Sequence, residues 1–235
     1  MNMSSSEEQL RTEFNEWARA GRGESMERGH RPVGEQAIER MAVPKAARVL
    51  DLGCGSGWAT RLLAEDASEG SVVGIDISDE MIELARKTST AFPNAEFQVA
   101  GAGRLPFPDH TFTHAFSMES LYYYNDLPAA LGEVARVLVP GGQFVAVVDL
   151  YFENKPSHQW IDQLKVPVHL LSISQYRDLF HEAGFSDVQD ERLQDPTPVP
   201  EDYTSGSFNS RDDYLEYRAA GSLMIIGYTF SRATS

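Results

Sequence analysis

The chain has 235 residues, 42% hydrophobic and 23% charged, with 35 acidic against 20 basic side chains and a net charge of −15. That balance fits one α/β domain with a substantial core rather than a disordered chain. It shows no run of roughly 20 apolar residues that could cross a membrane, and its acidic excess, broken by no basic patch, disfavours polymeric nucleic acid as a partner.

The N-terminal stretch "MNMSSSEEQLRTEF" lacks the basic and apolar regions of a secretory signal, so a cytoplasmic protein is expected. Residues 1–45 are polar and read as one or two amphipathic helices, with Leu10, Phe14 and Trp17 at helical spacing. They form an N-terminal helical cap on a core that runs over 46–150.

From Ala46 short β-rich runs alternate with helical ones: "ARVLDLG", "WATRLLAED", "SVVGIDI", "DEMIELARKTSTAF", "AEFQVAG", "FTHAFSM", "LPAALGEVARVL" and "GQFVAVVDLY". This alternation predicts βαβ units around a parallel sheet. Ser78 or Asp79 is placed to cap one helix, and "VPGG" at 139–142 to stop another before its strand. Residues 151–235 make up the second half, where "SQYRDLFHEAGFSDVQDERL" offers a helix, a glycine stop and a strand. The proline-rich stretch from Gln194 to about Gly221 then reads as an insertion before the apolar run "SLMIIGYTF", expected to act as a cap over the carboxyl edge, with Tyr203, Phe208, Tyr214 and Tyr217 as apolar surface to bury.

The stretch "RVLDLGCGSGWAT", Arg48 to Thr60, carries the first sign of function. In a doubly wound sheet the first strand feeds a helix whose N-terminal amides point into the ligand crevice, and glycines let a ligand approach the backbone. The turn Gly53-Cys54-Gly55-Ser56-Gly57 has alternate glycines and an acid, Asp51, before it. The dinucleotide fingerprint is instead GxGxxG and receives a pyrophosphate, which a carboxylate at the mouth repels. At the end of the second strand Asp76 stands where such folds take the two hydroxyls of a ribose. The implied ligand has a ribose, a cationic or zwitterionic portion and no phosphate, a description that S-adenosyl-L-methionine (SAM) meets. Cys54, the single cysteine, excludes an intramolecular disulfide and sits where the turn needs a small residue.

Here the sequence resembles the class I SAM-dependent methyltransferases, specifically their small bacterial type-11-like branch. "VLDLGCGSG" is similar to that family's first motif, "VVGIDIS" to its acidic second motif, "LPFPDHTFTHAF" to its fourth-strand region and "EVARVLVPGGQFVAVV" to the segment around its fifth strand. The resemblance implies a Rossmann-like, doubly wound seven-stranded sheet whose last strand is antiparallel, with SAM across the carboxyl ends of the first half. It implies that Asp51 and the backbone of Gly53 and Gly55 hold the methionine portion, that Asp76 takes the ribose hydroxyls, and that Ile77 lies against the adenine. Gly101 stands where the family often has an acid that reads the adenine amino group, leaving the Ala102 amide for the ring, and Thr113 replaces a common aspartate.

On the acceptor side, "SMESLYYYND" puts Ser117 near the cofactor and Glu119, Tyr122 and Tyr123 near the transferred methyl. Methyl transfer is an in-line displacement that depends mainly on holding the nucleophile in place. Glu119 is a candidate proton acceptor or holder of a cationic acceptor, and equally a solvated or capping acid. His30, in "MERGHRP", is a candidate acid/base from the N-terminal segment. No carboxylate-histidine spacing along the chain reads as a metal site. The expected activity is methyl transfer to a small-molecule O, N or C nucleophile. Protein or RNA methylation and non-catalytic SAM binding are the alternatives, and an NAD(P) oxidoreductase is disfavoured by the glycine spacing.

Overall fold

The computed structural model describes residues 4–199, 201 and 207–230. Seven strands form one sheet in the order β3-β2-β1-β4-β5-β7-β6: β1 Arg48–Leu52, β2 Ser71–Asp76, β3 Ala95–Val99, β4 Phe112–Met118, β5 Leu138–Val148, β6 Phe185–Leu193 and β7 Ser222–Thr229. The first five are parallel, while β7 runs antiparallel between β5 and β6. The strand order reverses between β1 and β4, so ligands are expected outside the carboxyl ends at that point.

The central strands are buried on both faces, as a sheet covered by helices on both sides requires. Phe144, Ala146 and Val148 pack with Leu131 and Val134 of α5 (Leu127–Val137) and with Tyr176 and Phe180 of α6 (Ile173–Glu182). Val145 and Val147 face Val33, Ala37 and Ile38 of α2 (Arg22–Met41) and Trp58 and Leu63 of α3 (Trp58–Asp66). The Phe144 and Phe180 rings stack 5.2 Å apart.

The N-terminal cap is two helices. α1 (Ser5–Arg19) begins with a capping box in which Ser4 and Glu7 satisfy each other's backbone amides. It docks on the start of α4 (Asp79–Thr88), where Asn15 Oδ1 accepts from the Ser78 hydroxyl at 2.6 Å and Arg11 pairs with Asp79. Ser78 caps α4 by accepting from the Met81 amide at 3.1 Å.

Two boundaries differ from the sequence reading. "VPGG" does end a helix at Val137, yet β5 starts at Leu138, because Leu138 pairs with Phe112 before the chain passes through Gly141 at φ 77°. The stretch 194–221 contains a further helix, α7 (Arg211–Ala220), capped by Ser210. A 3-10 segment, Lys155–Gln163, precedes α6. No helix among the described residues is long and apolar enough to cross a membrane.

Candidate functional site

A cavity of about 650 Å³ opens at the carboxyl edge of the sheet, at the point of strand reversal, and lies within the range of small-molecule sites. Its floor is the turn after β1. Gly53 and Gly55 have φ of 76° and 50°, left-handed values that glycine adopts at low cost. A Cβ on Gly53 would lie 2.5 Å from Ser120, whereas one on Gly55 would meet nothing within 4 Å. Gly55 therefore presents bare backbone to space that a side chain would fill.

Asp76 closes β2 beside this turn. The Gly55 amide donates to its Oδ2 at 3.0 Å and the Ser78 amide to its Oδ1 at 2.8 Å. Burial pushes its pKa up to about 6 against the pull of these amides. Ile77, Ala100, Ala102 and Gly103 continue the wall. Glu7 of α1 also lines it, with Oε1 3.1 Å from where a Gly101 Cβ would sit, so a carboxylate from another helix occupies the neighbourhood of the acid that Gly101 lacks.

Gly53, Gly55, Asp76, Ile77, Ala102, Glu119, Tyr122, Tyr123 and His30 all line the cavity; Asp51 and Ser117 do not. Alternation along β1 turns Leu50 and Leu52 to one face and Asp51 to the other. There Asp51 is 1% exposed, accepts from the Thr60 hydroxyl of α3 at 2.5 Å, and is pushed up to about 7 by burial. Asp51 does not line the cavity, whereas the glycine turn it precedes does. Ser117 is fully buried and shares a 2.6 Å hydrogen bond with Ser120, and it is Ser120 that faces the cavity. Burial also pushes the Cys54 thiol well up, which leaves it a poor nucleophile.

The far end of the cavity is aromatic and acidic. Tyr122 and Tyr123 lie 4.5 Å apart, and Phe14 of α1 meets Tyr123 edge-on at 5.0 Å. Glu119 follows β4 at φ 54°, an uncommon conformation for a non-glycine residue. Its Oε2 accepts from the Tyr122 hydroxyl at 2.7 Å, and its Oε1 accepts from the Asp149 amide. Burial, and then the nearby Asp149 charge, hold Glu119 well above the usual carboxylate range. His30 of α2 is lowered by burial, with Asp149 opposing.

Two segments cover this end. α1 reaches the 3-10 region through Gln9 Nε2, which donates to the Lys165 carbonyl at 3.0 Å, and through Glu16, which pairs with Lys165 at 3.0 Å. From the other side Trp160 Nε1 donates to the Ser207 carbonyl at 2.9 Å, and Trp160 packs against Phe208 and Tyr217 at 5.4 Å each. Both Trp160 and Ser207 line the cavity. Phe208, Tyr214 and Tyr217 thus form one aromatic cluster with Trp160, while Tyr203 lies outside the described residues.

Asp149, just past β5, carries no signal of its own in the sequence, although it ends the run "FVAVVD" much as Asp76 ends "SVVGID". Its Oδ2 accepts from the Tyr217 hydroxyl of α7 at 2.7 Å.

A doubly wound sheet with a glycine turn, an acid at the end of β2 and a cavity at the switch point defines a Rossmann-like, nucleoside-binding class of protein. Residues 49–142 match the family model described as a methyltransferase domain. An O-methyltransferase of Pyrenophora dematioidea is 32% identical over 64% of this chain and 58% of its own length. A demethylmenaquinone methyltransferase of Lactiplantibacillus plantarum is 31% identical over 70% of this chain and 81% of its own. A Haloferax volcanii protein, solved in complex with the Trm112 methyltransferase activator, is 34% identical with a TM-score of 0.87, covering 93% of this chain and 98% of that one. The chain belongs to the class I SAM-dependent methyltransferases, whose cofactor is SAM.

The cavity fits that cofactor on its own geometry. Asp76 is fixed by two backbone amides with acceptor capacity left for a diol, Gly55 leaves open space against bare backbone, and Ile77, Ala100 and Ala102 give the wall beside Asp76 an apolar surface.

Proposed function

We propose that this protein transfers a methyl group from SAM to a small-molecule acceptor in the cytoplasm. The observation that carries the reading is the continuity of one cavity from Asp76 and the glycine turn to Glu119, Tyr122, Tyr123 and His30. The O-methyltransferase and quinone methyltransferase relatives support a small acceptor.

SAM supplies a methyl group on a sulfonium, which an oxygen, nitrogen or carbon nucleophile displaces in line. Asp76 and the Ala102 amide fix the nucleoside end, and the backbone at Gly53 and Gly55 fixes the methionine end. Tyr122, Tyr123 and Phe14 bound the acceptor. Trp160 and Ser207, with α1 opposite, keep water from the reacting carbon. With SAM bound, an acceptor would bond to the methyl carbon as the carbon–sulfur bond breaks with its electron pair left on sulfur, and Glu119 or His30 would take the acceptor's proton.

The Haloferax neighbour favours a second reading for partners, in which an activator protein accompanies catalysis, here taken with a protein or RNA acceptor. Incubation with SAM labelled in its methyl group, against separate pools of small metabolites, protein and RNA, separates the two. Label in the metabolite pool is expected. Label confined to protein or RNA, or none without an added activator, would replace the proposal by the second reading.

A further inference from the structure

We propose that His30, Glu119 and Asp149 form a binding site for a first-row divalent metal ion at the acceptor end of the cavity. The three residues come from α2, the turn after β4 and the end of β5, and one ligand atom of each lies within 4.8 Å of the others. Three donors around one ion at about 2.0–2.2 Å lie at most about 3.8 Å from one another, so the site closes with movements of about half an ångström by each ligand.

An independent observation points to a ligand. Asp149 is 4% exposed, and its Oδ1 is buried with no hydrogen-bond partner, although Oδ2 is bound by Tyr217. Buried acceptors are nearly always satisfied, and leaving one unmet costs stability. None of the ion pairs among the described residues involves Glu119 or Asp149, so two neighbouring carboxylates stand without a cationic side chain. A divalent ion between them meets both needs.

The surroundings resemble those of a built metal site. Tyr122 and Tyr217 each donate to one oxygen of a proposed carboxylate ligand at 2.7 Å, the outer hydrogen bonding that orients ligands. Glu119 keeps its carboxylate inward despite its left-handed backbone. One imidazole and two carboxylates suit manganese, iron or zinc better than magnesium or calcium, which favour all-oxygen shells. Three protein ligands leave positions open, and Glu119 and His30 border the cavity from which an acceptor oxygen would reach them. That use of the ion rests on the methyl-transfer reading and would take the place of His30 and Glu119 as proton takers, since metal ligands must stay deprotonated; binding of the ion does not rest on it.

The test is titration of the chelator-treated full chain with Mn²⁺, followed by electron paramagnetic resonance, and with Zn²⁺, followed by calorimetry, without SAM or acceptor. One ion per chain with micromolar or tighter affinity is expected, weakened at least a hundredfold in His30→Gln and in Asp149→Asn, and about tenfold in Tyr217→Phe. Absence of binding at millimolar Mn²⁺ and Zn²⁺ would overturn the proposal, and so would binding unchanged in His30→Gln, a half-buried position that keeps the test decisive if Asp149→Asn does not fold. SAM titration of the same metal-free protein tests the methyltransferase reading separately.

Discussion

The Gly55 amide donates to Asp76 Oδ2 at 3.0 Å, tying the turn after β1 to the end of β2 across 21 positions. This bond and the 2.8 Å bond from Ser78 hold the carboxylate still before any ligand arrives, so its remaining acceptor capacity is preorganised for a diol. Asp76→Ala should weaken SAM binding by about 2–4 kcal/mol, from two charge-assisted hydrogen bonds partly replaced by water. Calorimetry decides it, and an unchanged affinity would remove Asp76 from the ribose site.

The same carboxylate makes binding depend on pH. An aspartate ordinarily titrates near 3.9, and burial holds Asp76 at about 6 and Asp51 at about 7. Between roughly pH 4 and 7 the folded protein therefore holds more protons than the unfolded chain, and these two groups make the ligand-free protein less stable as pH rises through that window. Ribose hydroxyls donate to the ionised form, so SAM affinity should rise up to tenfold per pH unit below about pH 6, with proton release. Calorimetry at pH 5.5 in buffers of different ionisation enthalpy measures the protons released. No release would mean that Asp76 is already ionised in the free protein.

Glu7 lies close enough to Gly101 to serve the adenine edge from α1. Glu7→Gln keeps the capping box, because glutamine fills the same role at that position, yet it removes the charge. SAM affinity should fall by about 1 kcal/mol, that of a partly exposed charged hydrogen bond, while the melting temperature holds. Equal affinity in Glu7→Gln would leave the Ala102 amide alone at the adenine.

Removing the Phe208 ring should loosen α7 from Trp160, since Phe208 packs against Trp160, Tyr214 and Tyr217 at 5.4, 5.5 and 4.8 Å. Phe208→Ala should leave SAM affinity within a few-fold and raise the acceptor KM tenfold or more. A KM unchanged by this substitution would detach the insertion from the acceptor site.

What the sequence disclosed follows from how local each signal is. The β1 turn and β2 place Gly53, Gly55 and Asp76 within one βαβ unit, where periodicity and turn residues suffice. Asp51 is legible as the acid before the turn, but that Thr60 claims its carboxylate shows only once α3 is packed. α7 is hard to read for a physical reason: its aromatic side chains, Tyr214 and Tyr217, pack on Phe208 and Trp160 at the rim and none of its residues enters the central core. The meeting of His30, Glu119, Asp149 and Tyr217 joins four distant parts of the chain, and only the assembled sheet brings them to one edge.

The measurement that bears most directly on the whole account is calorimetric titration of the purified protein with SAM, with its demethylated product and with NAD. The placement of Asp76 beside an alternate-glycine turn predicts one site per chain for SAM and for the product, weakened together in Asp76→Ala, and no heat from NAD. Binding of NAD with no response to SAM would contradict it.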